Sequence, residues 1–195
     1  MDRVESQLEF LMQIDRLKGV LRRNFIFDGS RRENSAEHSW HMALMAAVLG
    51  EHFPAGVDPA RVFTMALVHD LVEIHAGDTF AYGAYDRQEK EEREREAAER
   101  VFGALPDDQA GALKALWVEF EHGDTKEARL VRALDRLQPL LLHRLTGGKA
   151  WKEHAVKKSQ VLERVQDIER DAPALWPFVE RLLDEATRAG QLEDA

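Results

Sequence analysis

Three ionisable side chains fall inside an otherwise core-like run, Val68-His69-Asp70-Leu71-Val72-Glu73. Left unpaired in an apolar interior, they would be costly to bury. If the run is helical, Asp70 and Glu73 stand three apart and His69 and Glu73 four apart, so one small object could contact all three. A divalent cation suits, because imidazole nitrogen and carboxylate oxygen are ligands for first-row metals. Two more polar residues interrupt helical apolar stripes: His38 in Ala36-Glu37-His38-Ser39-Trp40-His41, and Asp135 in Ala133-Leu134-Asp135-Arg136-Leu137. Taken singly, such a histidine is more often structural, and such an aspartate more often pairs with a neighbour such as Arg132 or Arg136. Taken together, His38, His69, Asp70 and Asp135 complete a set able to hold one divalent metal ion. Two imidazoles and two carboxylates suit Mn, Fe, Co, Zn or, less comfortably, Mg.

The composition limits the alternatives. The chain has no cysteine, which excludes thiolate metal sites and a cysteine nucleophile, so any metal must be held by His and carboxylate. A formal net charge of -9 argues against a nucleic-acid polymer as partner. A small anionic substrate needs only a local cluster of Arg or Lys and stays compatible. No apolar run has the ~20 residues of a membrane helix, and the start, Met1-Asp2-Arg3-Val4-Glu5, is too charged for a secretory signal. A cytoplasmic protein with no membrane partner is therefore expected. Its 195 residues, 44% hydrophobic, predict one domain with a substantial core.

The elements that must position these residues read as helices almost throughout, since apolar residues recur at spacings of three and four. An all-α domain follows. The first helix is expected over 5–21, with Leu8, Leu11, Ile14, Leu17 and Leu21 along one stripe, before the loop Asp28-Gly29-Ser30-Arg31-Arg32. Asn34, three residues before Glu37, predicts the start of a helix that carries His38 and His41 and ends near Phe53-Pro54. Pro59 opens the next helix, expected to continue to about Ile74. The charge run within 87–100 predicts a solvated helix with opposite charges four apart. Further helices are expected over 107–122, 125–145, 155–170 and 176–189.

The ordered pattern of His38, His69-Asp70 and Asp135 resembles the HD-domain phosphohydrolases, named for the adjacent His-Asp pair. The words around it, Arg31-Arg32-Glu33-Asn34-Ser35-Ala36-Glu37-His38-Ser39-Trp40 and His69-Asp70-Leu71-Val72-Glu73-Ile74-His75-Ala76-Gly77-Asp78, look like the branch containing the 5′-deoxynucleotidases. The resemblance covers about 17–145, with C-terminal helices completing an HD-type bundle. It implies that the four residues bind one divalent metal and that a nucleoside 5′-monophosphate is hydrolysed to nucleoside and phosphate. Glu73 and Asp78 become the candidates for proton transfer to the leaving 5′-oxygen or from the attacking water. Spacing alone does not separate them.

A phosphate also needs cations, and Arg23, Arg31 and Arg32 lie just upstream of His38, where arginine's planar fork suits phosphate oxygens. The competing reading pairs them with the acidic surface. The resemblance puts Arg23 at a substrate-contacting arginine of the deoxynucleotidases. Asn24 stands where those enzymes carry a tryptophan that screens the sugar, so the preference for deoxyribose over ribose stays open. The same departure keeps other HD chemistries in view, hydrolysis of a guanosine polyphosphate alarmone or a cyclic nucleotide, as well as a non-catalytic metal- and nucleotide-binding role. His41, three residues from His38, is expected to contact substrate or support a ligand. A homodimer is compatible with the resemblance, and the stripes around Trp117 or Trp176 could serve an interface as easily as a core.

Overall fold

The computed structural model describes residues 2–194. Helix α1, Arg3–Ile14, begins in a capping box of Asp2 with Glu5 and gives way to a 3₁₀ turn, Asp15–Gly19. The helix expected over 5–21 therefore ends early. In its place Leu21–Phe25 forms a strand, β1, antiparallel to β2, Arg32–Asn34, with an irregularity between the pairs Leu21↔Asn34 and Phe25↔Arg32. This hairpin is the one sheet among the described residues, accompanied by an isolated parallel bridge between Lys157 and Glu193. No alternation of β-branched residues announces it, and its loop turns at Gly29, whose φ of 70° is open to glycine at no steric cost.

Helix α2, Ser35–Leu49, starts where β2 stops. Asn34 serves both: it closes the strand, and its side chain accepts the Glu37 amide at 2.9 Å while the Glu37 carboxylate accepts the Asn34 amide at 3.1 Å. Helix α3, Pro59–Val68, is capped by Asp58 and opens on Pro59, as expected, but does not reach Ile74. After Val68 the backbone tightens to three-residue spacing, with the Leu71 amide donating to Val68 (3.2 Å) and the Glu73 amide to Asp70 (3.0 Å). A single short helix follows, α4, Glu73–Ala76, closed by Gly77 at φ 75°. His69 and Asp70 thus sit on a tight corner rather than on a continuing helix.

Helices α5, Arg87–Phe102, α6, Asp107–His122, and α7, Lys126–Leu145, lie close to their expected bounds. In α5 the four-apart pairs Arg87–Glu91 (2.9 Å) and Lys90–Glu94 (2.7 Å) form as anticipated, yet the helix is only half solvated, for Ala97, Ala98, Val101 and Phe102 are buried. The region expected as one helix over 155–170 is divided. Short helices α8, Lys149–Glu153, α9, Lys158–Val165, and α10, Asp167–Asp171, precede α11, Trp176–Arg188.

Two apolar clusters result. One gathers Met42 and Met45 of α2, Val62, Met65 and Ala66 of α3, the Leu130–Leu140 stripe of α7 and the C-terminal helices. The other joins Phe10 and Leu17 to Leu71, Val72, Val101, Phe102 and Trp117. Trp117, 4% exposed, is packed inside this second cluster. His69 and Asp70 fall between Ala66, in the first cluster, and Leu71, in the second, so the corner that carries them is clamped from both sides. Because Asn34 sets where α2 begins, Asn34→Ala should lower stability by about 1 kcal/mol in a denaturant titration; an unchanged midpoint would contradict this assignment of the cap.

Candidate functional site

Three elements deliver the buried polar cluster. His38, fully buried, comes from the second turn of α2, the His69-Asp70 corner follows α3, and Asp135 comes from the middle of α7. One nitrogen each from His38 and His69 and one oxygen from Asp135 lie within 4.8 Å of one another, a grouping that could hold a metal ion. His38 Nε2 is 3.0 Å from Asp135 Oδ1, and His69 Nε2 is 3.1 Å from Asp70 Oδ1. Asp70 Oδ2 approaches His38 Nε2 at 3.9 Å. His38, His69 and Asp135 make up that group; Asp70, the fourth residue expected from the sequence, lies beside it and is not part of it.

Local chemistry fixes which nitrogens are free. The Ala66 carbonyl, in the last turn of α3, accepts from His69 Nδ1 at 2.9 Å. A carbonyl can only accept, so the proton is on Nδ1 and His69 Nε2 carries a bare lone pair. Nε2 is buried and has no hydrogen-bond partner; at 3.1 Å from the Asp70 carboxylate it has no proton to give. For His38 the same result comes through Gln138. The Gln138 amide nitrogen donates to Glu33 Oε1 at 2.6 Å, which turns its carbonyl oxygen to His38 Nδ1 at 3.0 Å and puts that proton on Nδ1. Burial, with the charge of Arg22 adding to it, lowers the His38 pKa to about 3, and its Nε2 faces Asp135 Oδ1 at 3.0 Å. A bare imidazole nitrogen beside a carboxylate oxygen, as at His69 and Asp70 at 3.1 Å, repels it unless a cation lies near both. Donors bonded to one ion at ~2.0–2.2 Å stand roughly 3 to 3.5 Å apart. The residues present therefore fit a divalent metal.

Gln138 lies three residues beyond Asp135 on the same face of α7, so one turn of helix supplies a candidate ligand and the group that orients another. Pro139 follows it and lacks the amide that would have reached the Asp135 carbonyl. The Gln138 amide nitrogen also lies 3.2 Å from His41 Nδ1, which joins His41 to this support chain.

Arg22 is the most central of the residues that sequence reasoning missed. Its guanidinium meets Asp70 at 2.7 Å, Glu33 at 3.8 Å, Asp135 at 3.9 Å and Asp78 at 4.0 Å. Burial disfavours its charge, but Asp70, Glu73, Asp135 and Asp78 outweigh that and raise its pKa. Arg23, the arginine favoured from the sequence, is exposed, and its backbone carbonyl accepts from Arg32. Neighbours on a strand face opposite ways, so in Arg22-Arg23 only one could point inward, and no pattern in the sequence says which. Arg31 and Arg32 are engaged elsewhere: Arg31 donates to Glu37 at 2.5 and 2.9 Å, and Arg32 to Glu153 at 2.8 and 2.9 Å while lying over the Phe25 ring. This is the surface-pairing alternative raised for them at the outset.

Glu73, 9% exposed, accepts from Ser35 Oγ at 2.5 Å, and burial raises its pKa well above the usual carboxylate range. Glu33 is pushed up to about 7 by burial, against the pull of Arg22 and Gln138. A cavity of about 400 Å³ opens onto His69, Asp70, Glu73 and Asp135, with Arg22 and other cations in its wall. Among the missed residues, Gln138 left a visible trace as a lone amide in an apolar stripe. Glu33 and Ser35 left none.

A family sequence profile described as an HD domain matches residues 14–176. The chain is similar to the human 5′-deoxynucleotidase HDDC2, 33% identical over 137 residues that make up 70% of this chain and 66% of that protein. It thus spans just under two thirds of that relative's length. It is also similar to a 5′-deoxynucleotidase of Erwinia tasmaniensis, 26% identical over 92% of this chain and 96% of the other. A crystal structure of a predicted metal-dependent phosphohydrolase from Magnetospirillum magnetotacticum MS-1 superposes with a TM-score of 0.92 at 48% identity, covering 98% of this chain and 96% of that one. A conserved hypothetical protein from Pyrococcus furiosus shares the fold, with a TM-score of 0.63 at 21% identity. With the profile extending from the end of α1 to the first residue of α11, the chain belongs to the HD-domain family.

Proposed function

We propose that this chain is a metal-dependent phosphohydrolase that cleaves nucleoside 5′-monophosphates to nucleoside and phosphate. The observation that carries the reading is the pair of imidazoles whose Nδ1 atoms are both committed, which turns their Nε2 atoms to the Asp70 and Asp135 carboxylates; His69 and both carboxylates line the cavity, with His38 buried behind them. The names of the similar proteins agree with it, 5′-deoxynucleotidases among the curated relatives and a metal-dependent phosphohydrolase among the solved structures.

In this reading His38, His69, Asp70 and Asp135 hold the ion, and their mixed nitrogen and oxygen donors favour Mn, Fe, Co or Zn over Mg. The ion supplies Lewis acidity, polarising a phosphoryl oxygen and acidifying a water at neutral pH. Arg22 offsets the mutual repulsion of the carboxylates, and its guanidinium also lines the cavity where a phosphoryl group would lie. Of the carboxyls beside this group that are outside the ligand set, Glu33 is engaged by Gln138, and Glu73 and Asp78 are those to which the family resemblance gives the proton transfers. They move the protons that the reaction requires: water adds to phosphorus, the bond to the 5′-oxygen breaks, and that oxygen leaves protonated. Ser35 holds Glu73 in one orientation for this task.

Purified protein supplied with each divalent metal and a panel of ribo- and deoxyribonucleoside 5′-monophosphates should release phosphate; no release with any metal would refute the reading. Glu73→Gln and Asp78→Asn should each keep the metal and lose roughly 10²- to 10⁴-fold in turnover. The variant that regains activity on p-nitrophenyl phosphate, whose leaving group needs no proton, identifies the proton donor. Asp70→Ala should abolish metal binding, read by elemental analysis, and normal occupancy would remove Asp70 from the ligand set. Gln138→Leu leaves every ligand in place but frees the His38 tautomer, and should weaken metal affinity by roughly 10- to 100-fold in a chelator competition.

A further inference from the structure

The cations around the cavity are not equivalent. Arg22 is held by buried carboxylates, Arg87 pairs with Glu91, and Lys90 pairs with Glu94. Arg132 donates to the backbone carbonyls of Phe120 and Gly123, and Arg136 pairs with Asp167. Arg164 lines the same cavity, yet among the described residues it makes no hydrogen bond to another side chain or to the backbone and has no carboxylate within 4.0 Å. The helix that carries it explains its position. Val161 and Val165 of α9 are buried in the first apolar cluster against α7, which leaves Arg164 on the flank beside the cavity. The nearest acidic residue along its own helical face, Asp167, is already taken by Arg136.

The charge balance of the site gives this free guanidinium a role. Asp70, Asp78, Asp135 and Glu33 surround Arg22, and Glu73 lies next to them, so acidic groups outnumber the single buried arginine. A divalent ion would offset two of these charges, and a phosphate dianion would bring two more. The approach of that dianion needs a cation whose charge has not already been spent. The field of Arg164 reaches Asp78 and Asp135, on the sides of the site formed by the loop after α4 and by α7.

We propose that Arg164 is a substrate-binding residue whose guanidinium takes phosphoryl oxygens of the substrate at the cavity mouth, on the side opposite the buried floor. The inference rests on the phosphohydrolase reading for its substrate, and arginine's planar fork is suited to two oxygens of one phosphoryl group. The guanidinium would hold substrate before and during bond breaking alike, and such uniform binding acts on KM rather than on kcat.

Arg164→Ala and Arg164→Lys in the full, metal-loaded chain test this. Calorimetric titration with inorganic phosphate, and separately with uncharged adenosine, is combined with steady-state kinetics on a nucleoside 5′-monophosphate. Arg164→Ala should weaken phosphate binding and raise KM by roughly tenfold or more, as for loss of a charge-assisted hydrogen bond, with kcat within about threefold of wild type. Adenosine binding and metal content should be unchanged, and Arg164→Lys should recover part of the loss. Unchanged phosphate affinity in Arg164→Ala, a wild-type chain that binds no phosphate, or a loss that falls on adenosine instead would each overturn the proposal. Phosphate binding is read without turnover, so its loss in Arg164→Ala supports the inference even if the wild-type chain cleaves no monophosphate, the outcome that refutes the functional reading.

Discussion

A carboxylate withdrawn from water without a partner costs several kcal/mol, a large share of the 5–15 kcal/mol by which a domain is stable. This chain withdraws Glu33, Asp70, Glu73, Asp78 and Asp135 into one neighbourhood around Arg22. Most of the local structure can be understood as meeting that cost. The β1–β2 hairpin places Arg22 beside Glu33, the cap at Asn34 sets the start of α2 so that Ser35 reaches Glu73, and Gln138 answers Glu33 and His38 at once. Removing one member would leave its neighbours unpaired, so these elements must form together.

The same constraint governs the chemistry. A histidine that presents a lone pair to a cation must have its other nitrogen protonated and occupied, and here two unrelated acceptors do that work. For His69 the acceptor is a backbone carbonyl made available because α3 ends at the corner; for His38 it is a side-chain amide held by a buried acid. The early end of α3 is thus part of the site. A helix running on to Ile74 would have set the Asp70 amide in competition with His69 Nδ1 for the Ala66 carbonyl.

What could be read from the sequence divides along physical lines. Helices with long apolar stripes or explicit caps, such as α6 and α7, and the start of α2, lay where periodicity and capping put them, because those signals act within one turn; α2 ends at Leu49, short of Phe53-Pro54. The four residues His38, His69, Asp70 and Asp135 were visible because polar groups stand out against apolar stripes. The hairpin and the corner after α3 were not, since both are settled by partners far along the chain: Val20 and Ser35 for the hairpin, the two apolar clusters for the corner. Arg22 was lost to Arg23 for a related reason. Adjacent arginines are indistinguishable until the strand assigns each a face, and a stretch read as loop gives no such assignment. Arg164 carried no signal at all, because what marks it is the absence of a partner in three dimensions.

On this reading the two imidazoles and the neighbouring carboxylates form one metal site. X-ray absorption spectroscopy on protein loaded with one equivalent of cobalt tests it most directly. Two imidazole nitrogens and carboxylate oxygens in the first coordination sphere, at ~2.0–2.2 Å, are the predicted result. A sphere of oxygen alone, with no imidazole scattering, would contradict the account.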